Sequence, residues 1–412
     1  MVDPDRPATE AANHGHPGPA RPRIALVHDW LCGHRGGEAV LERLAHVCAA
    51  PEHLAGELVG VYTMFDDGRG MGAFDDGTPR APIVDAHPHV VSTLGRLPLA
   101  SGRLRKPLLP LYPGACADLS RRLALAHARE PLDLVVSSSS AWVKNVRAPA
   151  GVPHVCYCHA PMRYIGSRKD DYATNPAMRL ALTLAGGLLR PLDRRGSRRV
   201  TRFVANSRYI AGEIRREYGR ESDVVHPPAR TSFFTPDPGA PRDGFWLVGG
   251  ALEPYKKTGL AIEAALRAGK PVRVFGQGSE LPALRKRYAG CEGVAFLGKV
   301  GDLALRELFR KAEAYLFPQV EDFGIAAVEA QACGCPVVAR RKGGALDSVI
   351  EHETGAFFDD TPDATAPEAI ALAGARAAGC DPSACRRHAE RFTPEAFDQQ
   401  MRTILAGALG GA

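Results

Sequence analysis

Residues Phe317–Gly334 read FPQVEDFGIAAVEAQACG: a strand end, a loop and then a short helix. Gly334 directly after the apolar run is a C-cap signal. The loop Glu321-Asp322-Phe323-Gly324 leads into a helix whose first N–H groups lack partners within the helix, and such a terminus attracts an anionic oxygen. Gly324 lets a ligand approach the backbone closely. Strand, loop and helix in this order form the repeating unit of a parallel sheet with crossover helices.

The same alternation extends in both directions. Upstream of the midpoint, strands are expected at Arg23–His28, Val59–Met64, Asp133–Ser137, His154–His159, Arg202–Asn206 and Asp223–His226. Downstream they are expected at Phe245–Gly249, Pro271–Phe275, Gly293–Leu297, Ala314–Phe317, Pro336–Ala339 and Gly355–Phe358. Their near-continuous apolar runs suit sheets covered by helices on both faces. Between the two sets lies HPPARTSFFTPDPGAPRDG, residues 226–244, whose five prolines exclude a regular helix or a central strand. The chain therefore divides into a tail at 1–22, one doubly wound α/β domain at 23–226, a linker at 227–244 and a second such domain at 245–393. A final helix within 394–412 is placed to pack back across the pair. Ligands of open parallel sheets bind at the carboxyl ends of the strands, so two such domains present a cleft.

Composition narrows the class. The 412 residues are 45% hydrophobic and 24% charged, the balance of a globular protein. No apolar run is long enough to span a bilayer. The opening MVDPDRPATEAANHGHPGPARPR reads as a disordered Pro/Gly/His tail, not a secretory signal. Ten cysteines fall on expected strands and helices, as buried thiols do, so a reduced, cytoplasmic protein is expected. Charge is uneven: residues 1–230 hold 31 Lys and Arg against 23 Asp and Glu, and the remainder 21 against 23.

Individual residues admit two readings from sequence alone. Glu321 and Glu329 are eight apart, roughly 12 Å along a helix if helical rise holds throughout. That exceeds the roughly 5–9.5 Å separating a glycosidase pair. They suit instead the two ends of an extended ligand, or else are ordinary surface charges. Gly36-Gly37 ahead of Glu38 form either an anion nest or a tight turn opening a helix. His159 at a strand end is a packed residue or a site residue; His28 and Asp29 pose the same choice. Gly276-Gln277-Gly278 is a turn or a nucleotide approach.

The motifs taken together resemble the retaining glycosyltransferases of family 4. The resemblance runs through VHDWLCGHRGGEAV, CYCHAPMRY, FVANSRYIAGEIRREYG, VVHPP, LEPYKKTGLAIEA, EDFGIAAVE and QACGCPVVARRKGGALDSVIEHETG. It covers the chain from about residue 23 and is most like the branch of mannosyltransferases that build bacterial surface polysaccharides. It implies the GT-B fold, two Rossmann-like domains facing across a cleft. It also implies transfer of a hexose, with mannose from GDP-mannose as the expectation, to a saccharide or polyprenyl-diphosphate-linked acceptor.

On this resemblance His159, Glu321 and Lys256 carry the chemistry, Lys256 neutralising the diphosphate as it leaves. Lys257 is its understudy. Asp322, Phe323, Gly324 and Ile325 hold sugar and diphosphate through their main chain, and Glu329 binds the ribose hydroxyls. Gly36 and Gly37 face the diphosphate, Gly276 meets the nucleotide, and Gly298, Lys299 and Val300 meet the base. His28, Asp29 and Arg163 belong to the acceptor side. One position departs from the pattern: Ala251 stands where many members place an arginine five residues before the lysine, so either another cation substitutes, with Arg340 and Arg341 as candidates, or the diphosphate clamp is weaker.

No metal or other cofactor is expected. Cys156-x-Cys158 and Cys333-x-Cys335 lack zinc-knuckle spacing, and Asp-x-Asp occurs only as Asp3-Pro4-Asp5 in the tail, near His14 and His16. The segments Gly95–Leu109 and Leu184–Phe203 interleave leucine with arginine, as a peripheral anchor on the anionic inner face of the cell membrane would, or as solvated helices do. Nucleic-acid binding is not expected, since no known module accompanies the charge. Two other functions fit the same scaffold: a sugar epimerase or phosphorylase, and a nucleotide-sugar-binding scaffold without turnover.

Overall fold

The computed structural model describes residues 21–102, 104, 105, 107–163, 165, 176–237, 239 and 241–411. The tail motifs Asp3-Pro4-Asp5, His14 and His16, together with Arg103, Lys106 and Tyr164, lie outside the described residues.

The first domain places β1 (Arg23–Leu31), β2 (Glu57–Asp66), β3 (His89–Val91), β4 (Leu134–Ser139), β5 (His154–Cys158), β6 (Arg202–Ala205) and β7 (Ser222–Val224) in one sheet of order β3-β2-β1-β4-β5-β6-β7. The second holds β8 (Trp246–Ala251), β9 (Val272–Gln277), β10 (Val294–Gly298), β11 (Ala314–Phe317), β12 (Val337–Arg340) and β13 (Gly355–Phe358), ordered β10-β9-β8-β11-β12-β13. Every pairing among the described strands is parallel. Both orders reverse direction beside their first strand, between β1 and β4 and between β8 and β11. Those reversals open crevices at the strands' carboxyl ends, where Rossmann-like sheets bind ligands.

Burial explains the sequence pattern. Ile24, Ala25, Leu26 and Val27 of β1 are fully buried, alternate side chains entering apolar clusters on opposite faces of the sheet. The second sheet divides its side chains in the same way: Leu247 and Tyr315 on one face, Trp246, Val248 and Leu316 on the other.

The segment between the domains is not a loose tether. Ala229 and Phe234 sit in the second core, and the Ala229 N–H donates to the Phe392 carbonyl at 2.8 Å. The final helix, Pro394–Gly410, returns to the first domain and contributes Phe397, Met401, Ile404 and Leu405 to its core. Its Asp398 carboxylate is paired with Arg43 of the helix Gly36–Ala49.

Polar contacts close the cleft between the sheets. Ser207, N-cap of the helix Arg208–Tyr218, donates to the Asp322 carbonyl at 2.5 Å. Arg208 donates to Asp347 from its N–H at 2.6 Å and its Nε at 2.5 Å. Arg80 meets Asp302 at 2.6 Å, and Arg163 forms an ion pair with Asp322. Among the described residues no helix is long and apolar enough to cross a membrane.

Candidate active site

Two adjoining lobes occupy the cleft. One, of about 390 Å³, is walled by His28, Trp30, His159, Arg163, Lys256 and Glu321 among others. The other, of about 320 Å³, reaches Arg230 and Glu329. Arg35, Gly36, Ile325 and Ala326 border both.

Two helix starts meet there. The helix Gly36–Ala49 begins one residue after Arg35, and its first turn opens with Gly36, Gly37 and Glu38. The helix Ile325–Ala332 begins at Gly324. A Cβ on Gly36 would come within 3.2 Å of the Ile325 Cδ1, so the two termini nearly touch. Each carries unpaired N–H groups and partial positive charge at its start. Gly324 is needed twice over. Its φ of +95° is a conformation that L side chains avoid, and a Cβ would lie 2.6 Å from the Phe317 ring. Gly343 and Gly344 support the loop from behind. The Gly344 N–H donates to the Glu321 carbonyl at 2.8 Å, and a Cβ there would lie 2.2 Å from the Asp322 carbonyl oxygen.

Lys256 ends a single turn after β8 and pairs with Glu321, so the ammonium and the carboxylate enter the cleft together. Burial alone would disfavour the ammonium, but the Glu321 carboxylate outweighs it and raises the Lys256 pKa. Gln319 Nε2 also approaches Glu321 Oε1, at 3.5 Å. Glu329 stands 3.6 Å from Arg230. Burial lifts its carboxyl to about 7 despite that neighbour. Arg230 in turn pairs with Asp302 at 2.6 Å.

On the first-domain side, His28 Nδ1 faces the Ser138 carbonyl at 3.0 Å, which only accepts, so the ring's proton sits on Nδ1. His159 Nε2 lies 2.8 Å from Ser138 Oγ, and its carbonyl accepts from Asn206 Nδ2 at 3.1 Å. Burial, with His28 and Arg163 nearby, lowers the His159 pKa to about 3. The ring is therefore neutral at neutral pH. The helix start lies against both rings: a Cβ on Gly37 would make ordinary contact, 3.8 Å from His28 and 3.9 Å from His159.

The structure thus gathers His28, Gly36, Gly37, His159, Arg163, Lys256, Glu321, Asp322, Phe323, Gly324, Ile325 and Glu329 along one cleft. Others it places elsewhere. Asp29 is fully buried and does not face the cleft. Its two oxygens accept from the N–H groups of Ser140, Ala141, Trp142 and Val143 at 2.6–3.0 Å, which anchors the turn after β4. Lys257 turns away to Asp363 at 2.6 Å. Gly276 borders neither lobe. A Cβ there would lie 1.8 Å from the Gly250 carbonyl oxygen, so this glycine serves the packing of β9 on β8. Gly298 ends the edge strand β10 and Lys299 and Val300 follow it, all outside both lobes. Arg340 donates to the Pro318 carbonyl at 2.9 Å and meets Asp360, while Arg341 meets Glu351. Neither fills the place opposite Ala251.

Arg35 does border both lobes, yet the motifs gave it no role. It is the N-cap of that helix, its N–H donates to Glu38 at 3.0 Å, and among the described residues its guanidinium forms no salt bridge. Its position directly before Gly36-Gly37 was the available signal.

Cys156, Cys158, Cys333 and Cys335 are buried free thiols. Among the described residues His46, Glu52 and His53 are close enough to share a metal ion, but they lie outside the cleft, beside Arg43 and Asp398.

Comparison with known families fits these two halves. Residues 83–233 match the family described as Glycosyltransferase Family 4, and residues 238–373 match Glycosyl transferases group 1. Two glycosyltransferase family models thus match in series, one in each half of the chain. A D-inositol 3-phosphate glycosyltransferase of Streptomyces scabiei is 31% identical over 250 residues, 49% of this chain and 56% of that protein. The chain thus spans only about half the length of that relative. Among solved structures, sucrose-phosphate synthase from Thermosynechococcus elongatus superposes with a TM-score of 0.69 at 18% identity, covering 95% of this chain and all of that one. Anabaena HepE in complex with UDP superposes at 0.63 and 19% identity, over 93% of this chain and all of that one. At these identities the likeness is one of fold, the GT-B arrangement. The fold class expected from sequence holds.

Proposed function

We propose that the chain is a retaining hexosyltransferase that works without a metal, moving a hexose from a nucleotide sugar to a saccharide or polyprenyl-diphosphate-linked acceptor. The observation that carries this reading is the meeting of two helix N-termini beside Lys256, with Glu321 and Glu329 in adjoining lobes. Diphosphate at the helix starts would leave the sugar against Glu321 and the ribose against Glu329. In the reaction the acceptor oxygen bonds to the anomeric carbon on the face from which the diphosphate departs, and the leaving phosphate oxygen takes the hydroxyl proton. Lys256 and the N–H groups would stabilise the charge gathering there. GDP-mannose is the donor we propose, on the sequence resemblance. The acceptor is met at the cytoplasmic membrane face.

Calorimetric titration with GDP, UDP and ADP tests the donor assignment. One of the three is expected to bind selectively, and Glu329→Ala to weaken it about tenfold, as the loss of a charged hydrogen bond does. Binding should also strengthen with pH. A carboxyl titrating at about 7 is roughly one-tenth ionised a unit below and nine-tenths a unit above, and only the carboxylate accepts from both ribose hydroxyls. Affinity is therefore expected to rise up to about tenfold across that window in the native protein and to stay flat in Glu329→Ala. A native profile as flat as the variant's would remove the ribose role.

Arg35 offers the cation that Ala251 does not. Arg35→Ala is expected to weaken binding of the nucleoside diphosphate about 3- to 10-fold while leaving the nucleoside itself unaffected, in line with one charged contact to phosphate. Equal losses for both ligands would deny it a diphosphate role.

A further inference from the structure

A second cavity lies on the first domain, away from the cleft, and shares no lining residue with either lobe. It holds about 590 Å³ between the helix Tyr112–Arg129, the turn Val143–Asn145 and the end of the helix Pro176–Ser197. Arg121, Arg147, Arg195 and Arg199 line it, and among its described lining residues none is acidic.

Three of the four arginines have no counter-charge among the described residues. Arg121 meets Asp118 at 2.6 Å, but among the described residues Arg147, Arg195 and Arg199 take no carboxylate partner. The acidic groups of the two helices are engaged elsewhere. Asp118 holds Thr93 and Arg122 as well as Arg121, and Asp193 is buried against Lys144 at 2.8 Å and Tyr218 at 2.7 Å. Burial, then the neighbouring Arg147 and Arg195, lowers the Arg199 pKa, the mark of like charges held together. Gly196 makes the enclosure possible, since a Cβ would lie 2.0 Å from Asn145 Oδ1.

An apolar stripe leads away from the cavity along the helix Pro176–Ser197. Leu180, Leu184, Leu188 and Leu192 recur every four residues and are 44–67% exposed, and Leu192 also lines the cavity. The helix already buries Leu182 and Leu189 in the domain core. A helix apolar on its inner side and again in a stripe outside has a second apolar phase to meet.

We propose that this cavity binds the phosphate headgroup of an anionic membrane lipid, while the leucine stripe beside it enters the acyl boundary. Charge complementarity selects the occupant: an arginine cluster without acids next to a leucine stripe matches a phosphate attached to hydrocarbon. The inference deepens the lipid-linked acceptor of the reading above and rests on it for its purpose, though not for its test.

The test is co-sedimentation of the full chain with phosphatidylcholine vesicles, with and without phosphatidylglycerol. Native protein is expected to partition onto the anionic vesicles only. The triple variant Arg147→Ala, Arg195→Ala, Arg199→Ala is expected to lose on the order of 100-fold of that partitioning, each arginine near the surface contributing a few-fold. Leu184→Ser with Leu188→Ser should lower partitioning while preserving the preference for anionic lipid. Nucleotide titration of the same variants should match the native protein, which shows them folded and keeps this test separate from the donor site. Equal partitioning onto neutral vesicles, or a triple variant that partitions like the native chain, overturns the proposal. So does calorimetric binding of inorganic diphosphate that the triple variant loses, with no vesicle binding by the native chain, because the cavity would then serve a soluble anion.

Discussion

Lys256→Ala is expected to lower turnover by about 10²–10³-fold, the loss that follows removal of one preorganised group facing a developing negative charge. Substrate affinity should change far less. In the resting site Lys256 is paired with Glu321, so it is already desolvated and already balanced. When the glycosidic bond breaks, the diphosphate competes for the same ammonium, and only then does the lysine's charge lower the barrier. Removing it also strands Glu321. Lys256→Ala combined with Glu321→Gln, measured against Glu321→Gln alone, separates the two effects. If the lysine merely neutralises the glutamate, the double variant turns over as fast as Glu321→Gln alone. If it acts on the leaving group, the double variant is slower than Glu321→Gln by the same factor that separates Lys256→Ala from the native protein. Lys256→Arg is a further control, because it keeps the charge and changes the shape. Steady-state kinetics with the nucleotide sugar identified by titration would read all five proteins. A Lys256→Ala variant within a factor of a few of native turnover would place the leaving-group role elsewhere, on the helix termini or Arg35.

How much of this was legible beforehand depended on how local each signal was. The run RIALVH announced β1 because consecutive buried residues leave no polar interruption, and the structure extends it only to Leu31. β3, His89–Val91, went unseen: three half-buried residues at the sheet edge, just after Pro88, carry neither periodicity nor length. The loop from Glu321 to Gly324 was readable because its glycine and the following apolar helix are adjacent in sequence. Asp29 was misplaced for the opposite reason. It stands at a strand end, where site residues collect, but its partners are backbone N–H groups more than a hundred residues away. Gly276 misled in the same way, because the atom that forbids a side chain there belongs to β8. Lys256 and Lys257 differ by one position yet point apart, since Lys257 takes a left-handed φ of +54° and faces Asp363. Sequence spacing picked out the loop and helix starts that border the cleft; long-range contacts decided which polar residues near them face it.

Acid should destabilise the fold steeply, and from histidines rather than from carboxylates alone. Burial pulls His154 and His388 down to about 4 and His159 to about 3. His154 is completely enclosed at the start of β5, its Nε2 2.7 Å from Ser137 Oγ. His388 packs at 5.3 Å against Phe392 in the second domain. In the unfolded chain each protonates near its ordinary value of about 6.5, while in the native state it stays neutral. Below that pH the unfolded state binds more protons, so stability present above about 6.5 is lost as pH falls towards the native values. Each group contributes roughly 1.4 kcal/mol per pH unit in the steep part of that window, about 4 kcal/mol for the three. Glu329 works against them, because a carboxyl raised to about 7 stabilises the native state as it gains its proton, which offsets one histidine's worth. These four groups together are expected to take about 3 kcal/mol per unit below about pH 6, a large part of a typical domain's stability. Urea unfolding followed across that range reads the slope. His154→Gln keeps a hydrogen-bonding group beside Ser137 that cannot take a proton, so it should remove about one third of the histidine contribution from the slope whatever it does to the stability at neutral pH. An unchanged slope in that variant would mean that His154 meets water before the domain unfolds.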